Sequence, residues 1–197
     1  NLSAGLAIAD QLSFGGAEFR NVVFLVVPDE QFTFANGAYV VQGIIGLPLL
    51  TPLGRLEFEN HGATETLRFQ QTNGTPSAAS NLNVDAVQVY AYAHLDGVER
   101  QPRFFIDNGA PTSHVNRRFA PSFPSAMTHA RQEAVTAHGG AGSETQANGM
   151  VLPTLTLRFG DVPVTLNEVR VFDDHKTERD GDIGADVLNS GGGYVLD

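Results

Sequence analysis

Hydrophobic residues along this chain form short runs rather than long stripes. The runs are rich in β-branched and aromatic residues, and many alternate with polar residues. Such segments are typical of β-strands that are buried on one or both faces. On this basis the clearest strands are predicted at 22–27, 84–92, 154–159 and 162–172.

Turn-forming dipeptides separate these runs, among them Gly15-Gly16 and Asp96-Gly97. The second predicts a hairpin between strands at 88–95 and 103–106. Helical patterns are few and short, the best covering Ser125–Ala137 and a turn near Pro48–Leu53. The chain is therefore predicted to be all-β.

Composition narrows the class of protein. The 197 residues, 42% hydrophobic and 17% charged, suit one large or two small folded domains. A net charge of −10 argues against nucleic acid as a partner, because phosphates would be repelled. No apolar run reaches the roughly 18 residues that a membrane-spanning helix needs, so no membrane span is expected.

The chain has no cysteine, which excludes disulfides, a thiol nucleophile and thiolate metal sites. The lack of cysteine fits an oxidising compartment, so a periplasmic or secreted location is expected. The first residue is Asn1 rather than methionine, and we interpret this start as processed or truncated.

An internal repeat runs through the sequence. Residues 14–26 resemble residues 159–171, and the segment from Gly43 to Leu50 resembles Gly181 to Leu188. The chain is therefore expected to hold the last part of one unit (1–58), a polar linker (59–82) and a complete second unit (83–197).

The most informative segment is Phe104-Phe105-Ile106 running into Asp107, Asn108, Gly109 and Ala110. It predicts an apolar strand that delivers a carboxylate onto a glycine-dependent turn. A carboxylate at a buried strand end is costly unless it is hydrogen-bonded or used chemically.

Together, the Asp107 turn and the repeated apolar-glycine segments resemble the aspartic proteases of the pepsin and retropepsin type, in particular the bacterial two-lobed retropepsin-like members. The resemblance implies two pseudo-symmetric barrel-like lobes with a cleft between them. It also implies hydrolysis of an extended polypeptide substrate, without a cofactor or metal, through water activated by two aspartates. Asp107 would be one of these, and Asn108, Gly109 and Ala110 would form the active-site turn.

The same resemblance places a substrate-binding flap at Gly139, Gly140 and Gly142. The second aspartate is expected from the first unit, but Asp107 lies 74 positions before Gly181, and the same interval before Gly43 falls upstream of Asn1. We therefore expect the N-terminal fragment of the first lobe to be a partner.

Asn108 stands where the family has threonine or serine, whose hydroxyl ties the two catalytic loops together. An amide has different hydrogen-bonding geometry, so a catalytically impaired peptide-binding module is the alternative. A homodimer that pairs two copies of Asp107 is a third possibility, disfavoured because the first-unit tail already takes the partner lobe's place.

Other chemistries have weaker support. The six histidines lack metal-ligand spacing, and Ser113 and Ser143 lack the surroundings of a serine-hydrolase nucleophile. The acidic stretch 173–182 lacks a calcium-loop pattern, which favours a solvated loop.

Overall fold

A computed structural model describes residues 4–34, 37–62, 64–71, 80–85, 88–138, 144–172 and 178–197. Strands make up 53% of the structure and helices 15%, which confirms a mainly β fold. Over these residues, every helix falls short of the length and hydrophobicity needed to cross a bilayer.

The chain forms two compact units. The first comprises residues 1–53 and 138–145, and the second residues 54–137 and 146–197. The elements of the first unit are the strands β1 (Gly5–Phe14), β2 (Ala17–Val26), β3 (Thr33–Phe34) and β4 (Tyr39–Val40), the helix α1 (Leu47–Leu50), and 3-10 turns at Asp29–Phe32 and Thr51–Leu53. The predicted turn near Pro48–Leu53 is thus confirmed.

Most of the strands belong to the second unit. They are β5 (Arg55–Asn60), β6 (Glu65–Gln70), β7 (Leu82–Asp85), β8 (Gln88–Tyr92), β9 (Arg103–Ile106), β10 (His114–Asn116), β11 (Arg131–His138), β12 (Glu144–Phe159), β13 (Val162–Phe172), β14 (Gly181–Ile183) and β15 (Gly193–Leu196). The short helices are α2 (Phe119–Ser122), α3 (Ala185–Leu188) and a 3-10 turn at Ala126–His129. The last residue of β11, His138, and the first two of β12, Glu144 and Thr145, are counted with the first unit.

An eight-stranded mixed sheet has the order β11-β12-β13-β10-β14-β9-β8-β7. Within it, β14 lies between β9, to which it is parallel, and β10, to which it is antiparallel. The chain leaves β9 towards residue 107 and returns along β10, so this arrangement fixes both ends of the Asp107 turn. The predicted pairing of the strands around Asp96-Gly97 is confirmed, since β8 and β9 are antiparallel.

The hydrophobic core lies behind this sheet. Its largest fully buried side chains are aromatic, namely Phe104 on β9 and Phe119 and Phe123 around α2. The rings of Phe119 and Phe123 stack with centroids 4.5 Å apart. Burial of side chains this large makes the framework beneath the turn rigid.

A separate three-stranded sheet has the order β15-β5-β6. It pairs the strand that closes the first repeat, β5, with the strand that closes the second, β15. The strand β6 lies within 59–82, the segment that the sequence predicts to be a linker. Alternation of Leu67 and Phe69 with polar neighbours explains why this part forms a strand.

The hairpins β1-β2 and β12-β13 share a local distortion. Asn21 on β2 and Glu168 on β13 both have φ of 54°, and the pairing of both hairpins skips this residue. Outside glycine, such φ values are uncommon. The hairpins thus have the same kinked form, which agrees with the repeat read from the sequence, although β13 has two more residues between turn and kink.

The helix predicted at Ser125–Ala137 is wrong for most of its length. Only Ala126–His129 is helical, as a 3-10 turn, and Arg131–His138 is the strand β11. Val135 is buried, whereas Ala134 is exposed and Thr136 is partly exposed. Pairing with β12 therefore outweighs the weak helical preference of this segment.

Candidate active site

Asp107 is the first residue after β9, and its side chain is partly exposed. Its N–H donates a 2.9 Å hydrogen bond to the carbonyl of Ile183 on β14, and its carbonyl accepts a 3.1 Å bond from the N–H of Ala110. Asp107 to Ala110 is therefore a β-turn anchored to the buried strand β14. Asn108 and Gly109, at the centre of the turn, are exposed.

The carboxylate is oriented by its own turn. The N–H of Gly109 donates to Oδ1 of Asp107 at 3.1 Å. In the described part of the chain, Oδ2 of Asp107 has no hydrogen-bond partner. One oxygen is thus held in place, and the other is available to water or substrate.

Gly109 serves a different purpose from the one that the sequence suggests. It is not among the residues with positive φ, so the turn does not need glycine for its backbone conformation. Instead, a Cβ at this position would lie 3.3 Å from Oδ1 of Asp107. Glycine therefore leaves room for the carboxylate to approach the backbone.

The far side of the turn is tied to α3. Ser113 is buried, and its hydroxyl donates a 2.6 Å bond to Oδ1 of Asp186 while it accepts a 2.9 Å bond from the N–H of Gly184. The N–H of Ala185 donates to the carbonyl of Ala110 at 2.8 Å. These bonds hold the Asp107 turn against the start of α3.

A pocket of about 260 Å³ lies beside Asn108. It has an aromatic wall, formed by Phe58 and Tyr194, whose rings stack at 4.5 Å. The Nδ2 of Asn108 donates a 3.3 Å hydrogen bond to the hydroxyl of Tyr194. The remaining lining residues are Glu59, Asn60, Glu65, Thr66, Leu67, Ala185, Leu188 and Asn189.

The environment of Tyr194 favours its neutral form. Burial raises the pKa of Tyr194 to about 12, and the negative charge of Glu65 acts in the same direction. The hydrogen bond from Asn108 opposes this shift but is the smaller effect. Tyr194 is therefore a neutral hydroxyl at the pocket wall.

The sequence predicts a solvated loop for the acidic stretch 173–182. This prediction is wrong for Asp180 and Asp182, which are buried. Asp180 is fully buried and accepts hydrogen bonds from both terminal guanidinium nitrogens of Arg100, at 2.9–3.0 Å, and from the backbone N–H of Arg103 at 2.8 Å. Asp182 is also buried, 2.7 Å from Nε of Arg179 and 3.6 Å from Nε2 of His114. The ion pairs of Asp180 with Arg100 and of Asp182 with Arg179 lie at the start of β14 and on it, and they fix its position behind the turn.

The sequence-predicted flap residues Gly139, Gly140 and Gly142 lie outside the described residues. Asp107, Asn108, Gly109 and Ala110 are brought together in one turn, as predicted. Across the part of the chain that the structure describes, no three histidine or acidic side chains are grouped so that they could hold a metal ion.

Sequence reasoning missed Ser113, Asp186 and Tyr194 as residues of this site. From the sequence, Ser113 is assessed only as a nucleophile, and no pattern points to Asp186 or Tyr194. The contact of Ser113 with Asp186 joins positions 73 residues apart, and no local sequence pattern indicates it.

A scan against models of known protein families finds no match, and a search of curated proteins finds no significant one.

Proposed function

We propose that this chain is part of an aspartic-type endopeptidase with the two-lobed pepsin or retropepsin fold, and that Asp107 is one of its two catalytic carboxylates. The observation that carries the proposal is the state of this side chain. It is partly exposed, held through Oδ1 by Gly109, and open at Oδ2. A carboxylate fixed in this way on a rigid turn can act on water.

The second support is the repeat. Two related units supply one aspartate each, and the second aspartate comes from the first-unit counterpart of residues 103–116. Two carboxylates that share a water hold one proton between them, because two such close negative charges repel each other. The pair is therefore suited to acid–base chemistry on a peptide bond.

In the proposed reaction, the ionised carboxylate takes a proton from the water. At the same time, the water oxygen forms a bond to the scissile carbonyl carbon. The protonated carboxylic acid donates a hydrogen bond to the carbonyl oxygen. The carbon–nitrogen bond then breaks as the tetrahedral oxyanion collapses to a carboxylic acid. The leaving amine takes up the proton that the first carboxylate had taken from water, so the pair again holds one proton. Asn108 and Ser113 do not react but hold the turn that carries Asp107.

A peptide-binding module without hydrolysis is the second candidate. It is favoured by Asn108, whose amide bonds to Tyr194 where the family's hydroxyl joins the two catalytic loops. Both candidates need an extended polypeptide in the site, and they differ only in what happens to it.

The two are separated by incubating a denatured protein substrate with the chain, alone and together with a peptide segment that supplies the proposed second aspartate, between pH 3 and 7. Peptide products are measured by mass spectrometry, and binding by fluorescence anisotropy. We expect cleavage that is lost in Asp107→Asn and kept in Asp161→Asn, a control in an exposed hairpin turn. Binding without cleavage would favour the module, and equal cleavage by Asp107→Asn would reject the mechanism.

A further inference from the structure

Among the described residues, the outer edge of β2 has no neighbouring strand like the one that pairs with its counterpart β13. In the second unit, β13 pairs on one side with β12 and on the other with β10, in parallel. In the first unit, β2 pairs with β1, and no other described strand joins their two-stranded sheet. Aligned on the kinks at Asn21 and Glu168, Leu25 corresponds to Phe172, whose carbonyl accepts a 2.7 Å bond from the N–H of Arg117.

A pair of glycines gives independent evidence. In the second unit, a Cβ on Gly181 would lie 2.2 Å from the carbonyl oxygen of His114, and one on Gly184 would lie 2.7 Å from that of Ala110. These glycines are needed because the backbone of the Asp107 turn and β10 passes directly over them. Their counterparts Gly43 and Gly46 have the same spacing, but a Cβ on either meets no backbone atom of another described residue within 4 Å.

The apolar side chains also differ in exposure between the two units, being buried in the second and exposed in the first. Ile183 is 2% exposed, whereas its counterpart Ile45 is 49% exposed and the adjacent Ile44 is 71% exposed. On the hairpin, the cross-strand neighbours Leu6 and Leu25 are 76% and 74% exposed. Exposed apolar residues beside an unpaired strand edge mark a surface that binds another strand.

We propose that the edge of β2 and the segment Gly43–Gly46, together called the docking surface, bind a polypeptide segment with the chemistry of residues 103–117. Such a segment is an apolar strand, a tight turn and a second short strand. Its second strand pairs in parallel with β2, as β10 pairs with β13. Its backbone lies against Gly43 and Gly46, as that of the Asp107 turn lies against Gly181 and Gly184.

A second copy of this chain is the competing occupant. Its own residues 103–117 are already engaged, because β9 and β10 pair with β14 and β13. A copy could supply them only by dismantling its second unit. The occupant is therefore a separate strand–turn–strand segment. That this segment also carries the second aspartate rests on the proposed function, whereas its binding rests on the repeat alone.

The probe is a fluorescein-labelled synthetic peptide that copies residues 103–117, and its binding to the full chain is followed by fluorescence anisotropy. We expect saturable binding that Gly43→Ala and Gly46→Ala each weaken at least tenfold, while Gly191→Ala, an exposed glycine away from the docking surface, does not change it. A peptide with aspartate in place of Val115 serves as the non-binding control. Thermal unfolding checks that the glycine variants stay folded, which we expect because a Cβ on Gly43 meets open space and one on Gly46 lies at an ordinary contact distance of 3.5 Å from Cδ of Pro48.

Hydrogen exchange locates the binding. The amide of Leu25 should exchange at least tenfold more slowly when the peptide is bound, and that of Phe172 should not change. Absence of saturable binding up to concentrations on the order of 1 mM would overturn the proposal, as would equal affinity of the Gly43→Ala chain. Self-association that protects Leu25 without peptide would identify a second copy as the occupant and overturn it as well. Peptide binding without proteolysis would leave this inference standing and count against the peptidase.

Discussion

The hydroxyl of Ser113 donates a 2.6 Å hydrogen bond to the carboxylate of Asp186, 73 residues further along the chain. The same carboxylate accepts the N–H of Ser113 at 2.9 Å. Through these bonds, the segment that leaves the Asp107 turn is fastened to α3. The position of Asp107 therefore depends on residues that have no part in the proposed chemistry.

Removal of this hydroxyl should loosen the site. In Ser113→Ala, the buried N–H of Gly184 loses its acceptor, and we expect a loss of about 1–3 kcal/mol in the free energy of unfolding. Urea denaturation with an unchanged m-value measures this directly. Ser190→Ala, which removes an exposed hydroxyl bonded to Val187, is the matched control and should cost less. Equal effects of the two substitutions would contradict the role given to Ser113.

The two glycines at equivalent places in the repeat should respond differently to one added methyl group. Gly181→Ala places a Cβ 2.2 Å from the carbonyl oxygen of His114, and we expect a destabilisation of about 3 kcal/mol or more. Gly43→Ala meets open space, so it should change the free energy of unfolding by less than about 0.5 kcal/mol. Thermal and urea unfolding of both variants check this difference, and a similar cost at both positions would refute it.

The buried carboxylate of Asp180 should make Arg100 indispensable. Arg100→Met leaves a fully buried charge without its ion pair, and a loss of about 3–5 kcal/mol is expected. Arg100→Met combined with Asp180→Asn should recover part of that loss, because the uncompensated charge is gone. If the double variant is no more stable than the single one, charge burial is not the cause.

Tyr194 should make stability depend on pH in the alkaline range. Its pKa is raised from 10.0 to about 12 in the folded protein, so the unfolded chain loses this proton first. The contribution is complete below pH 10 and declines as the pH rises from 10 to about 12. Urea midpoints at pH 9 and pH 11.5 should therefore fall more for the native chain than for Tyr194→Phe. An equal fall would mean that Tyr194 is not the group responsible.

Local patterns in the sequence were enough to place strands within 22–27, 154–159 and 162–172 and the hairpin at Asp96-Gly97, since turn dipeptides and β-branched runs act over a few residues. The prediction of one strand over 84–92 is wrong, because its two ends belong to the antiparallel strands β7 and β8. The turn at Asp107 was also recognisable, because an apolar strand leads directly into it. The strand Arg131–His138 was missed because its character comes from pairing with β12, which lies beyond the window of a local pattern. The ion pair of Asp180 with Arg100 spans 80 residues, so composition alone suggested a solvated acidic loop there.

The central claim is that Asp107 activates water for peptide hydrolysis. Its most direct test is the ratio of kcat/KM for one fluorogenic peptide between the native chain and Asp107→Asn, each measured together with a segment that supplies the proposed second aspartate, at the pH of fastest cleavage. The account predicts that the substitution lowers kcat/KM by about 100- to 10,000-fold, while thermal unfolding shows that the fold is kept. Equal kcat/KM values for the two proteins would contradict it.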